Sequence, residues 1–210
     1  QGAFSPDGAW IAFQTDRWKG SLALIRPDGS GLSEVLPGRS ASVFQPSWSP
    51  DSRWLAAGNT DADGPFLLEV ADGKAAGPPQ FLAPLEEDGL DFWPSSFSPD
   101  GRRLAGALYS AAAHPVGGAV YSLDGRTYRR LPTGDAGALL FLPDGRRLLL
   151  VSRREIRLFD LEKGGLRTLV TAPEGGEIGS AALSPDGRVL AWHESTDESD
   201  IWLAEFEEKE

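Results

Sequence analysis

Short apolar runs alternate with tight polar turns along the whole chain, and one phrase sets the rhythm. It reads Phe97-Ser98-Pro99-Asp100-Gly101-Arg102-Arg103-Leu104-Ala105, and it returns from Phe4, Trp48, Phe141 and Leu183. The five prolines are Pro6, Pro50, Pro99, Pro143 and Pro185, spaced 44, 49, 44 and 42 residues apart. A period of about 40–45 residues belongs to a propeller blade or a helical array. Serine suits the first place of a type I turn, proline presets the second, and glycine suits the last. An apolar residue before the turn and an apolar run after it predict a β-hairpin. Ser52 stands where the other copies have glycine, so strain is expected there if the position needs a positive φ.

A third apolar segment follows each hairpin: 22–25, 66–70, 119–123, 156–161 and 201–206. Three of these run into Asp28-Gly29, Asp72-Gly73 and Asp124-Gly125, and the fourth into Lys163-Gly164-Gly165. A fourth short segment then returns at 32–36, 80–82, 128–131 and 166–170. Four strands in meander order, repeated five times, predict an all-β fold, a β-propeller. The blades are expected at 1–40, 41–88, 89–135, 136–176 and 177–210, in a single domain. The last blade lacks its outer strand. Its Ile201–Phe206 edge then pairs with a segment preceding Gln1, closes the ring as a three-stranded blade, or pairs with a second chain. The first is favoured, which makes the chain the C-terminal part of a longer propeller.

The Ser-Pro-Asp-Gly-x-x-Leu-Ala hairpin, followed by a strand ending in Asp-Gly, resembles the WD40-like repeat of TolB-type β-propellers. The resemblance covers essentially the whole chain. It implies a bacterial, extracytoplasmic protein. It leaves several functions open, because the repeat also occurs beside serine peptidases and in sensor regions of kinases. Family members that cleave pectic oligosaccharides hold a metal with several histidines. This chain has two, His114 and His193.

Composition narrows the choice. The net charge is −11, and the basic pairs are scattered, so nucleic acid and anionic membranes are disfavoured as partners. No apolar run is long enough to span a bilayer. Cysteine is absent, which excludes disulfides. Cys, Met, Asn and Gln together number five, as in a thermophile or a GC-rich genome. A Gly-x-Ser-x-Gly elbow is absent. Asp61-Ala62-Asp63-Gly64 lacks the later bidentate acid of a calcium loop. The aspartates Asp7, Asp51, Asp100, Asp144 and Asp186 recur because the turn needs them. No catalytic residue, metal or cofactor is expected.

One face of such a meander carries the uniform turns, and the other carries loops that vary. Function concentrates in variable loops on a rigid scaffold. The expectation is therefore a non-catalytic scaffold or sensor that binds a protein or peptide on the variable face. The alternatives are a gating propeller of a serine peptidase, or a small-ligand or carbohydrate binder. The expected anchors are Trp18, Phe92, Trp93 and His114, with the charged residues Arg153, Arg154, Glu194 and Asp197 around them.

Overall fold

The computed structural model describes residues 2–15, 21–36, 43–59, 64–85, 89–196 and 199–205. None of these is helical; all regular structure is strand. The first blade is a sheet of β1 (Gly2–Phe4), β2 (Ile11–Thr15), β3 (Ser21–Ile25) and β4 (Ser33–Glu34). The second holds β5 (Val43–Trp48), β6 (Trp54–Asn59), β7 (Phe66–Ala71) and the small hairpin strand β8 (Lys74–Ala75). Its outer place is shared with β9 (Gln80–Phe81), which pairs with β7. The third blade comprises β10 (Leu90–Phe97), β11 (Arg103–Ser110), β12 (Pro115–Ser122) and β13 (Thr127–Leu131). The fourth comprises β14 (Ala138–Phe141), β15 (Arg147–Val151), β16 (Glu155–Asp160) and β17 (Leu166–Thr171). The fifth has three strands, β18 (Glu177–Leu183), β19 (Val189–Ser195) and β20 (Ser199–Glu205). β20 is its outer edge, and no fourth strand pairs with it among the described residues.

The blades meet face to face. Ala12, Leu24, Leu55 and Phe66 fill the space between the first and second. Phe92, Leu104, Leu108 and Tyr121 do so between the second and third, and Leu139, Leu148 and Phe159 between the third and fourth. Ile156, Ile178 and Leu190 join the fourth to the fifth. Each seam removes whole aliphatic or aromatic side chains from water, at about 1.5–3 kcal/mol per side chain. Among the described residues no apolar cluster joins the fifth blade to the first, and Phe4 on the first blade is 65% exposed.

The prolyl turns explain the repeat. In four copies the serine hydroxyl donates to the aspartate two residues on, and it accepts the amide five residues on at 2.9 Å. The same carboxylate accepts the intervening amide at 3.0–3.2 Å. The amides that follow the turn before the ladder resumes are therefore satisfied. The fourth copy has Leu142 in place of serine, and its carboxylate does both jobs. Asp144 Oδ1 accepts the amides of Arg146 at 2.8 Å and Arg147 at 2.9 Å. Ser52 has φ 60°, the left-handed value that the glycines take at this place, so the expected strain is present. Its hydroxyl offsets part of that cost by accepting the Asp7 amide of the preceding turn at 3.0 Å.

These turns stand in rank at one end of the molecule. A Cβ on Gly101 would lie 3.8 Å from Pro50 Cδ, and one on Gly145 would lie 3.6 Å from Pro99 Cδ. On Gly187 it would collide with Pro143 at 2.6 Å. Each glycine thus packs on the proline of the previous blade.

The turn carboxylates set an acid limit. The serine hydroxyl holds Asp7, Asp51, Asp100 and Asp186 below the ordinary value of 3.8. For Asp144 burial opposes ionisation most strongly, but the Arg147 and Arg146 amides and the Arg147 guanidinium outweigh it. Folded pKa values below unfolded ones contribute stability above the unfolded value, and that stability is lost as pH falls through the folded one. The thermal midpoint is expected to be level from pH 7 to about 5 and to fall progressively below about 4. Circular dichroism melts across this range check it; a midpoint that rises on acidification would contradict the turn chemistry.

Candidate functional site at the loop-bearing end of the axis

The strands nearest the axis are bulged where they approach the variable face. Register shifts occur between Phe44 and Ser47 in β5, between Pro94 and Ser96 in β10, and between Ile178 and Ser180 in β18. Two of these bulges carry a proline, Pro46 and Pro94, because proline removes a ladder donor. That was a legible signal: Phe44-Gln45-Pro46-Ser47 and Phe92-Trp93-Pro94-Ser95 repeat it in two blades.

The bulges of β5 and β10 aim side chains at other blades. Gln45, at φ 52°, reaches past the third blade and donates from Nε2 to Gly137 O of the fourth, at 3.3 Å. Its Oε1 is buried and accepts nothing among the described residues. Tyr109 Oη donates to the same carbonyl at 3.3 Å. Ser95 Oγ takes the Leu139 amide at 2.9 Å and gives to Leu139 O at 3.0 Å. Ser96 Oγ accepts the Phe141 amide at 3.0 Å and gives to Leu139 O at 2.8 Å. Two hydroxyls thus stitch β10 to β14.

Trp93 is half-buried and stacks on Tyr109, with centroids 4.1 Å apart and planes inclined at 27°. Its other side lies against Gly58, where a Cβ would sit 3.3 Å from the indole. Burial pushes the Tyr109 hydroxyl up, and the nearby Arg153 charge opposes this. Arg153 keeps 80% of its side chain in solvent, with Glu177 3.9 Å away. Arg154 donates to Gly176 O. Trp93, far from Arg153 in sequence, thus stacks on the tyrosine whose hydroxyl feels the Arg153 charge.

The other expected anchors part company. Phe92 is 1% exposed and packs edge to face on Tyr128 at 5.2 Å, so it is core and has no surface for a partner. The reason is strand alternation: Phe92 and Trp93 point to opposite faces of β10. His114 is exposed, on a short turn between two strands. β11 and β12 extend to Ser110 and from Pro115, leaving a four-residue turn with Ala113 at φ 58°. His193 and Glu194 lie within β19 rather than in a loop, and Glu194 accepts the Trp192 indole at 3.5 Å. Trp18 and Asp197 fall outside the described residues, as does Asp61-Ala62-Asp63. No group of three or more His, Cys, Asp or Glu side chains is gathered among the described residues. The opposite end, with the uniform turns, has a cavity of about 320 Å³ between the second and third blades.

The comparisons with known proteins agree on the fold. Residues 31–64 match the WD domain, G-beta repeat family. No curated protein sequence matches the chain. Among solved structures, the chain is similar to one described as a TolB from Agrobacterium tumefaciens, with TM-score 0.78 and 17% identity over 97% of this chain and 76% of that one. It is similar to TolB from Acinetobacter baumannii, with TM-score 0.69 and 21% identity over 96% of this chain and 48% of that one. It is also similar to an oligogalacturonate lyase in complex with manganese, with TM-score 0.69 and 15% identity over 98% of this chain and 61% of that one. The chain therefore spans three quarters to about half the length of these proteins, and it shares their fold.

Proposed function

We propose that this β-propeller, TolB-like in its fold and WD40-like in its repeat, works as a non-catalytic scaffold or sensor, binding a protein or peptide at the loop-bearing end of its axis. The observation that carries this reading is the Trp93–Tyr109 stack held at the axis beside the exposed Arg153. Rigid aromatics with an adjacent arginine are the residues that dominate protein interfaces. The net charge of −11 favours a partner that is not itself strongly acidic. TolB likeness supports the scaffold; the lyase likeness makes catalysis the reading to test against.

A peptide-display selection against the intact chain provides the probe. Peptides so obtained are expected to bind Arg153→Glu and His114→Ala at least about tenfold more weakly, as for loss of a charged or central interface contact. Both residues are exposed, so the melting temperature should hold. Undiminished binding to both variants would remove the loop face as the site. Release of unsaturated sugar from oligogalacturonate with manganese present would overturn the non-catalytic reading.

A further inference from the structure

The prolyl phrase puts the same seven positions on every blade, so each seam can be compared with its neighbours. At the seventh position stand Trp10, Trp54, Arg103, Arg147 and Val189. Between the third and fourth blades this position fills the seam from within. The Arg103 guanidinium lies over the Phe141 ring, 5.3 Å from its centroid, and donates to Gly145 O at 2.8 Å. Between the first and second blades Trp10 does so with its indole, against which a Cβ on Gly73 would collide at 2.2 Å.

Between the second and third blades the seam is packed along its length but open at its turn end. Phe97 is the counterpart of Phe141, and Gly101 is the counterpart of Gly145. The place of Arg103 is taken by Trp54, which stands at the wall. What remains is a cavity of about 320 Å³, lined by Trp54, Phe97, Gly101, Leu123 and the carboxylates of Asp51 and Asp100. Both aspartates use Oδ1 for the turn, and their Oδ2 atoms hold no hydrogen bond among the described residues. Arg53, the cation of the same turn, is paired with Glu69 at 2.7 Å; its charge favours ionised Asp51, as those of Arg103 and Arg102 favour ionised Asp100, but none of the three forms an ion pair with these carboxylates among the described residues.

We propose that this cleft receives an arginine side chain from a partner peptide. The chain carries the template one blade away: a phenyl ring, a turn glycine carbonyl and a guanidinium between them. A planar guanidinium also suits the two aromatic walls and the two carboxylates, through stacking, cation–π attraction and charge-assisted hydrogen bonds. The site lies at the opposite end from Arg153 and goes beyond the loop-face reading.

The probe is acetyl-Gly-Arg-Gly-amide, with the neutral citrulline isostere as its control, followed by indole ¹H–¹⁵N NMR shifts. The arginine peptide is expected to bind saturably, shifting the Trp54 indole, with a dissociation constant on the order of millimolar and about tenfold below that of citrulline. Trp54→Arg, followed through the Phe97 ring resonances because the reporter indole is gone, should abolish binding by placing the chain's own guanidinium in the cleft. Asp51→Asn with Asp100→Asn keeps the Oδ1 acceptors of the turns, removes both charges, and should weaken binding about tenfold. Arg153→Glu should leave it unchanged. Equal binding of citrulline, no saturation, or full binding by the double asparagine variant would each overturn the proposal.

Discussion

Gly106→Ala is expected to destabilise the propeller by about 3 kcal/mol, lowering its melting temperature by about 6–12 °C. The residue sits in β11 opposite the β10 bulge, paired with Pro94. A Cβ there would lie 2.2 Å from Trp93 O and 2.7 Å from both Pro94 Cα and the Trp93 carbonyl carbon. All three are main-chain atoms, so no rotamer change relieves the clash. The strand must move, and with it the indole stack and the serine stitches to β14. Gly77→Ala is the control: nothing lies within 4 Å of its Cβ position, and its φ is not positive. Thermal melts of the pair separate the clash from any general effect of replacing glycine. Equal midpoints would show that the bulge is not packed as described.

Phe92→Ala is expected to cost about 3–5 kcal/mol, the range for emptying a buried phenylalanine site. Phe92 is 1% exposed, and its ring meets Tyr128 edge to face. Tyr128 Oη in turn donates to Ala83 O at 2.8 Å, while Tyr121 Oη accepts the Ala83 amide at 3.1 Å. Removing the ring therefore loosens the clamp on the connection between the second and third blades. The denaturant midpoint should fall with an unchanged slope. A midpoint that holds while peptide binding is lost would return Phe92 to the surface role that its sequence context suggested.

The contrast between Phe92 and Trp93 shows where the sequence stops speaking. The turns were legible because four residue types do four separate jobs in them: a hydroxyl acceptor, a fixed φ, a carboxylate and a left-handed glycine. Ser52 could even be marked as strained from its place alone. The blade order and the short last blade followed from counting apolar runs. Which of two adjacent aromatics faces the core did not follow. A bulge at Pro94 shifts the alternation by one residue within β10, and a bulge depends on what the neighbouring strand offers. The turn at His114 teaches a related point: small residues such as Ala111-Ala112-Ala113 read as loop, yet the flanking strands run almost to them. The cleft at Trp54 was legible only by comparing seams, since it arises from one blade lacking the arginine that the next one has.

The stitching of β10 to β14 through Ser95 and Ser96 has a consequence for assembly. Strands brought edge to edge along an axis could zip their main chains together and merge their sheets into a continuous barrel. Hydroxyls standing between them occupy the free amides and carbonyls of Leu139 and the amide of Phe141 without admitting a ladder. These two wedges are thereby fastened yet kept as distinct bodies, and this stretch of β14 offers fewer free main-chain groups with which to recruit a foreign strand.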